Sequence, residues 1–340
     1  MSIDTPPLAI TMGCPAGIGP EIIGKFFHDL FVDRKNQPAR PVVVIGNLAA
    51  LRKTARELGF SRLTIQSWHP GDPVRPDVVP VFDCDDRPLN NLVPGQPDLA
   101  TARAMIGYIE QAVRYIQQGA LSGMVTCPIS KISLQRAGSP FPGHTEMLAS
   151  LTGSTRYRMM MAGQRLKVVL ATIHEPLARV SDMLSVDEIR DCISMTVDSL
   201  RHDFGYDDPR VAVAGLNPHC GENGMFGSEE QDCITPAISG YDGPGVVSGP
   251  WPPDTVFYQA AAGRYDAVVA MYHDQGLIPF KLLHFKDGVN VTLGLPIVRT
   301  SVDHGTAYDI AGQGLADPAS LAAAVHMAAD ICSHREGEDR

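Results

Sequence analysis

The chain has 340 residues, more than one typical hydrophobic core encloses, so two domains are expected. Its 44% apolar and 19% charged content is that of a globular protein, and a net charge of −10 argues against general nucleic-acid binding, leaving any anionic ligand to a local basic cluster. No apolar run approaches the ~18 residues of a membrane span; no basic-then-apolar leader opens the chain, and seven cysteines without paired spacing suit reduced thiols, so a cytoplasmic protein is expected.

Leu8–Met12 reads as a short buried strand, and Gly13–Glu21 turns into an amphipathic helix through Phe31, with Pro20 suited to a first helical position. Val42–Ile45 and a helix from Leu48 to Leu58 repeat the theme. Arg75 to Pro97, rich in Pro and Asp, is expected as an irregular excursion or a hairpin. Asp98 to Gln118 has helical spacing, Met124–Cys127 is a strand ending at Pro128, and Gly143-His144-Thr145-Glu146 opens another helical pattern. A strand from Leu166 to Ile173 stops at His174. Ser185-Val-Asp-Glu188 reads as a capping box opening a helix to Phe204. Val211–Ala214 and Ala267–Tyr272 are further strands, and Pro318–Cys332 is a closing helix, with His334–Arg340 expected to fray. Strands alternating with helices predict an α/β fold with a largely parallel sheet.

His174, His219 and His273 each fall at or just past a predicted strand end, where ligands gather in open α/β sheets. Three imidazoles with an open position can hold a catalytic divalent ion, and they suit Zn, Co, Ni or Fe better than Mg. Each alone is more simply an ordinary loop or core histidine. Asp274 and Asp254 are candidate partners for the second ring nitrogens, although Asp254 can equally cap the helix after it. His144 and Thr145 at a helix N-terminus suit an anion; the plainer reading is a Thr145 N-cap beside an exposed histidine. Lys281 and Arg299 can neutralise a phosphate or carboxylate, or can be surface residues. Gly19–Lys25 matches most of a phosphate loop, but Phe26 stands where Ser or Thr must bind Mg, and the stretch reads as a helix. No G-x-G-x-x-G with a downstream acid is present, so a Rossmann cofactor site is not indicated.

Five blocks in order, Gly13-Cys-Pro-Ala-Gly-Ile-Gly-Pro-Glu21, Gly143-His-Thr-Glu146, Gly215-Leu-Asn-Pro-His219, Met271-Tyr-His-Asp-Gln-Gly276 and Arg299-Thr-Ser-Val-Asp-His-Gly-Thr306, resemble the 4-hydroxythreonine-4-phosphate dehydrogenase family of vitamin B6 synthesis. The first and last blocks also look like isocitrate and isopropylmalate dehydrogenases, whose His-Gly-Ser-Ala loop holds the dinucleotide without a Rossmann fold; here it reads His304 to Gly312.

The resemblance implies a two-domain α/β/α subunit, with residues 1–130 plus 300–340 in one domain and 131–299 in the other. It implies a homodimer with the active site at the subunit interface, where His174 and His219 of one subunit and His273 of its partner bind one divalent metal (Zn, Co or Mg). By the same implication His144, Thr145, Lys281, Asn290 and Arg299 contact substrate, with Lys281, or else His144, moving the proton. NAD or NADP is expected along Asp303, His304, Gly305, Thr306, Ala307 and Asp309, beside Gly17 and Gly19. The implied reaction is oxidation and decarboxylation of a 4-phosphorylated 3-hydroxy acid, foremost 4-phosphohydroxy-L-threonine to 3-amino-2-oxopropyl phosphate. A branch acting on 4-phospho-D-threonate or 4-phospho-D-erythronate, giving dihydroxyacetone phosphate, is the alternative, and Gly221–Phe226 with Lys281–Phe285 looks nearer to it. A third branch oxidises aromatic cis-dihydrodiols and usually lacks the His-Thr-Glu block present here. Cys14 departs from the family's usual Asp, which removes an acceptor from the turn. From other classes, a metal-dependent hydrolase or lyase would need the histidines and Asp274 but no dinucleotide, and a non-catalytic sugar-phosphate binder would need neither.

Overall fold

The computed structural model describes residues 5–33, 37–84, 89 and 92–338. The described strands are β1 (Leu8–Thr11), β2 (Val42–Ile45), β3 (Thr64–Ser67), β4 (Val78–Phe82), β5 (Gly123–Thr126) and β6 (Arg158–Ala162) in the first half. In the second half they are β7 (Lys167–Leu170), β8 (Arg210–Ala214), β9 (Val246–Trp251), β10 (Ala267–Ala270), β11 (Val289–Leu293) and β12 (Arg299–Val302). The α-helices run α1 (Gly19–Asp33), α2 (Leu48–Glu57), α3 (Leu99–Gln117), α4 (Lys131–Arg136), α5 (His144–Thr152) and α6 (Val180–Met183). They continue as α7 (Val186–His202), α8 (Thr235–Ser239), α9 (Pro253–Ala261), α10 (His273–Leu283) and α11 (Ala319–Glu338).

Two compact units divide the chain, residues 1–155 with 295–332 and residues 156–294 with 333–340. In the first, the strand order is β3-β4-β2-β1-β5-β12, every pairing parallel. Its strands β1, β2 and β5 are buried at every position, as a sheet covered on both faces requires. The expected domain change near residue 130 compares with 155 here, because α4 and α5 pack against α3 and stay with the first unit. The second unit runs β11-β6-β7-β10-β8-β9, antiparallel at β11-β6-β7 and parallel from β7 to β9. Its core joins Val168, Leu170, Ala212, Ala214, Val268 and Ala270 to Val256, Phe257, Leu277 and Phe280 of the helices.

Several expectations need correction. The Pro/Asp-rich stretch contains β4, a parallel neighbour of β2, although residues 85–88 and 90–91 lie outside those described. Pro80 is tolerated in β4, within the stretch expected as an irregular excursion or a hairpin. The capping box at Ser185 is half formed: its hydroxyl accepts from Glu188 N, but the Glu188 carboxylate turns to Arg158 at 2.7 Å. Asp98 makes the reciprocal box instead, with Thr101. α11 does not stop at Cys332; it runs to Glu338, because Arg335 reaches the buried Asp203 carboxylate at 2.6 Å and His334 the Asp203 carbonyl at 2.9 Å. Of the tail expected to fray, residues 339–340 lie outside those described. All seven cysteines are free, and no described helix is long and apolar enough to cross a membrane.

Candidate active site

In the second unit β7, β10 and β8 are adjacent and parallel, Leu170 opposite Ala270 and Val213 opposite Val269. Their carboxyl ends therefore open on one edge, and the chain leaving them carries His174, His273 and His219. The apolar strands are legible because short Val-rich runs, too brief for a helix, suit strands of a covered sheet. The His174 and His273 rings lie 5.6 Å apart between centroids, tilted by 37°. His273 is the first residue of α10, where a loop was expected, and its Nδ1 stands 2.6 Å from Asp274 Oδ1. That contact leaves Nε2 as the atom able to bind a cation. Two imidazoles, one backed by a carboxylate, fit a borderline cation such as Zn or Co. Among the described residues of one chain, no three His, Cys, Asp or Glu side chains come together at metal-binding distance. The resemblance assigns His273 to the partner's site; within one chain its ring already stands beside His174.

His219 lies in an unusual turn. Five consecutive residues, His219 to Asn223, have φ of 52°, 54°, 76°, 43° and 58°, a left-handed region that non-glycine residues enter at a cost of about 1–2 kcal/mol each. The buried Glu230 carboxylate holds the approach to this turn, accepting from Leu216 N at 2.8 Å and Asn217 N at 2.7 Å. Asp254 is exposed in the first turn of α9 and caps nothing with its side chain. Lys281, in the last turn of α10, and Asn290, in β11, are half-buried.

The first unit gathers the anion-binding candidates. His144 is the first residue of α5, whose N-cap is Gly143 and not Thr145. Its ring is half-buried, and Nε2 is inaccessible to solvent with no hydrogen-bond partner among the described residues. Burial, then the nearby Arg299 charge, holds the imidazole well below its ordinary pKa, so it is neutral at pH 7. Arg299 is not a surface residue: it is 3% exposed within β12, and its Nε and Nη2 donate to Thr126 Oγ1 at 3.1 and 2.9 Å. Burial lowers its pKa to about 10, opposed by Glu146, and the guanidinium stays charged. Thr126 went unnoticed in the sequence; its signal is a hydroxyl ending an otherwise apolar strand. A neutral histidine, a buried guanidinium and the N-terminus of a nine-residue helix make a site for a phosphate or carboxylate.

Beyond β12 the loop from Asp303 to Gly312 lies against two backbone turns. Ile18 N donates to the Thr306 carbonyl at 3.1 Å, and a Cβ on Gly17 would come 2.9 Å from that same oxygen. Gly95 N donates to Ala16 O at 2.7 Å, and a Cβ there would come 2.6 Å from Tyr308 O. A Cβ on Gly19 would fall inside the Met12 carbonyl. Such close approach suits a dinucleotide gripped by backbone groups. Lys25 is spent on the Gly314 and Ala316 carbonyls, at 2.8 and 2.5 Å, and Glu21 on Ala316 N, which removes the last ground for a phosphate loop. Asp303, His304, Thr306 and Ala307 are half-buried, while Gly305 and Asp309 are exposed. Cys14 is fully buried among Ala16, Ala102, Met105 and Leu134, with Tyr308 of the loop packed on the cluster. Burial pushes its thiol pKa up; a carboxylate in that cluster would be costly to ionise.

Residues 37–328 match the family model described as pyridoxal phosphate biosynthetic protein PdxA. The chain belongs to the PdxA family. A family member from Desulfosudis oleivorans, a 4-hydroxythreonine-4-phosphate dehydrogenase, is 54% identical over 96% of both chains. Another of that name, from Desulforapulum autotrophicum, is 49% identical over 97% of this chain and 96% of its own. The crystal structure of the Klebsiella pneumoniae 4-hydroxythreonine-4-phosphate dehydrogenase superposes with a TM-score of 0.85 at 42% identity, covering 98% and 99% of the two chains. A terephthalate 1,2-cis-dihydrodiol dehydrogenase from Burkholderia xenovorans is more distant, with a TM-score of 0.64 at 28% identity, covering 96% and 98%. PdxA proteins are thus dehydrogenases, and this chain is an oxidoreductase of the α/β class.

Proposed function

We propose that the chain oxidises and decarboxylates 4-phosphohydroxy-L-threonine to 3-amino-2-oxopropyl phosphate in pyridoxal phosphate biosynthesis, using NAD or NADP and one divalent cation. The observation that carries this reading is the placing of His174, His219 and His273 just beyond the carboxyl ends of three adjacent parallel strands, in a chain whose relatives bear the corresponding name. His174 and His219 of one subunit with His273 of its partner would hold the cation, and the all-imidazole set favours Zn or Co over Mg. When bound, the cation would supply Lewis acidity at the substrate hydroxyl and the nicotinamide would supply the hydride acceptor.

The chain's own residues do the rest. Arg299, with His144 and Thr145 at the start of α5, neutralises the anionic end of the substrate. Asn290 and Lys281 grip it from β11 and α10. Lys281 takes the hydroxyl proton as the C3 hydride leaves, and returns a proton to C2 once the carboxylate has departed as carbon dioxide. One oxidised nicotinamide is consumed for each carbon dioxide and ketone formed. Gly17, Gly19 and residues 303–309 hold the dinucleotide through backbone contacts.

The enzyme acts as a homodimer with the active site at the subunit interface. An apolar face supports this: Ile278, Leu282 and Phe285, spaced to share one side of α10 and its end, are 68%, 84% and 77% exposed. Chelated protein should be inactive, and Zn or Co should restore nicotinamide reduction with 4-phosphohydroxy-L-threonine. Faster turnover of 4-phospho-D-threonate or 4-phospho-D-erythronate would move the chain to the neighbouring branch.

A further inference from the structure

Beneath the three histidine-bearing strand ends runs a continuous set of hydrogen bonds, buried at Thr172 and Gln275 and partly buried at Glu230. Thr172, two residues before His174, donates its hydroxyl to the Met271 carbonyl at 2.7 Å, and its own N–H reaches the same oxygen at 3.2 Å. Met271 N, two residues before His273, donates to Gln275 Oε1 at 2.7 Å. The other end of that amide, Gln275 Nε2, donates to the Gly215 carbonyl at 2.7 Å, where β8 ends on its way to His219. The next two backbone N–H groups, of Leu216 and Asn217, are taken by Glu230 Oε1, and Glu230 Oε2 accepts from Asn217 Nδ2 at 3.0 Å. Thr172, Gln275 and Glu230 are each less than one-tenth exposed. Glu230 also opens a five-residue π-helical turn, Glu230–Ile234. Glycine is demanded around it, since a Cβ on Gly221 would come 2.8 Å from its Oε2 and one on Gly215 3.1 Å from its Oε1.

We infer that Thr172, Gln275 and Glu230 form a brace that positions the metal-binding imidazoles, fixing the chain segment that carries His174 against the one that carries His219, which share a cation, and holding His273 where it serves the partner's site. None of the three needs to touch substrate or cation. The inference rests on the assignment of those histidines to the metal. Each strand end leaves carbonyl and N–H groups that the ladder no longer satisfies, and here side chains satisfy them across strands. A brace of this kind sets cation affinity because a ligand displaced by a fraction of an ångström loses coordination energy even in a folded protein. Groups that hold ligands indirectly change metal affinity by roughly 10–100-fold when removed. The left-handed run from His219 to Asn223 makes the demand sharpest there, since nothing in its intrinsic preference keeps it in that conformation.

The test is Co(II) and Zn(II) titration of the metal-free, full-length protein by calorimetry, at a temperature where thermal melts show each variant folded. Gln275→Leu should weaken cation binding at least tenfold, and Thr172→Val, which removes one hydroxyl without changing shape, should weaken it severalfold. Glu230→Gln keeps an acceptor for Leu216 and Asn217 N–H and should fall between wild type and Glu230→Ala. His219→Ala and His273→Ala serve as the reference. If these two lose cation binding while folded Thr172→Val and Glu230→Gln bind as wild type, the brace is refuted and the metal assignment stands. If the histidine variants bind normally, the metal assignment itself falls. Should Gln275→Leu not fold, the Thr172→Val and Glu230→Gln affinities still decide the matter.

Discussion

The candidate cofactor loop of the first unit and the histidine-bearing strand ends of the second are shaped by opposite means. In the first, the loop from Asp303 to Gly312 is shaped by main chain against main chain, at Gly17 and Gly95, where any side chain would collide with a carbonyl. In the second, the strand ends carrying the histidines are held by side chains, those of Thr172, Gln275, Glu230 and Asp274. A backbone cradle tolerates no added atom, whereas a side-chain frame tolerates no lost hydrogen bond. Substitutions that add a methyl group should therefore damage cofactor binding, and those that remove a polar group should damage the metal and its ligands.

The largest effect is expected at the imidazoles. His273→Ala and His219→Ala should abolish cation binding in calorimetry and cut turnover at least about a hundredfold, with folding intact by circular dichroism. Full activity in either would contradict their assignment. Arg299→Lys comes next: the charge survives, but the planar fork shared with Thr126 does not. The KM for substrate should rise about tenfold while the KM for NAD(P) changes far less, and equal changes in both would refute a substrate role. Gly17→Ala is the converse case. Its Cβ would press on the Thr306 carbonyl, so KM for NAD(P) should rise severalfold, with metal affinity unchanged. If metal affinity falls instead, the contrast between the two units is wrong.

Much of this was legible before any coordinates. Runs such as Val42–Ile45 and Ala267–Ala270, too brief for a helix, suit strands, and the helix from Leu99 to Gln117 announces itself by spacing and by Asp98. The three strand-end histidines were visible for the same reason. Other features depend on partners distant in the chain. β3, Thr64–Ser67, has one buried residue in four and forms only because β4 pairs with it. The last turns of α11 look like a charged tail until Asp203, more than 130 positions earlier, is seen to need Arg335. The brace is invisible for that reason too: a Thr, a Gln and a Glu far apart in sequence carry no local periodicity, and Gln275 stands out only as part of the Met271–Gly276 block. For Arg299 the sequence allows both a surface and a site position, and its burial, at 3% exposed, decides for the site.

The smallest predicted effect is the pH dependence set by His144. Burial, and secondarily Arg299, places its pKa well below the 6.5 of a free imidazole, so the folded protein keeps it neutral where the unfolded chain has begun to protonate. Between those two values the unfolded state binds more protons, and stability must rise with pH. The contribution is fully present above about pH 6.5 and is lost as pH falls toward the folded pKa. Melting temperatures at pH 7.5 and 5.5 should therefore differ, wild type being less stable in acid, and His144→Gln should narrow that gap. The difference between the wild-type and variant curves is the diagnostic quantity. An unchanged gap would mean that the folded and unfolded pKa values of His144 coincide, which would leave the ring free to exchange a proton near neutrality and make it, rather than Lys281, the candidate to move the substrate's proton.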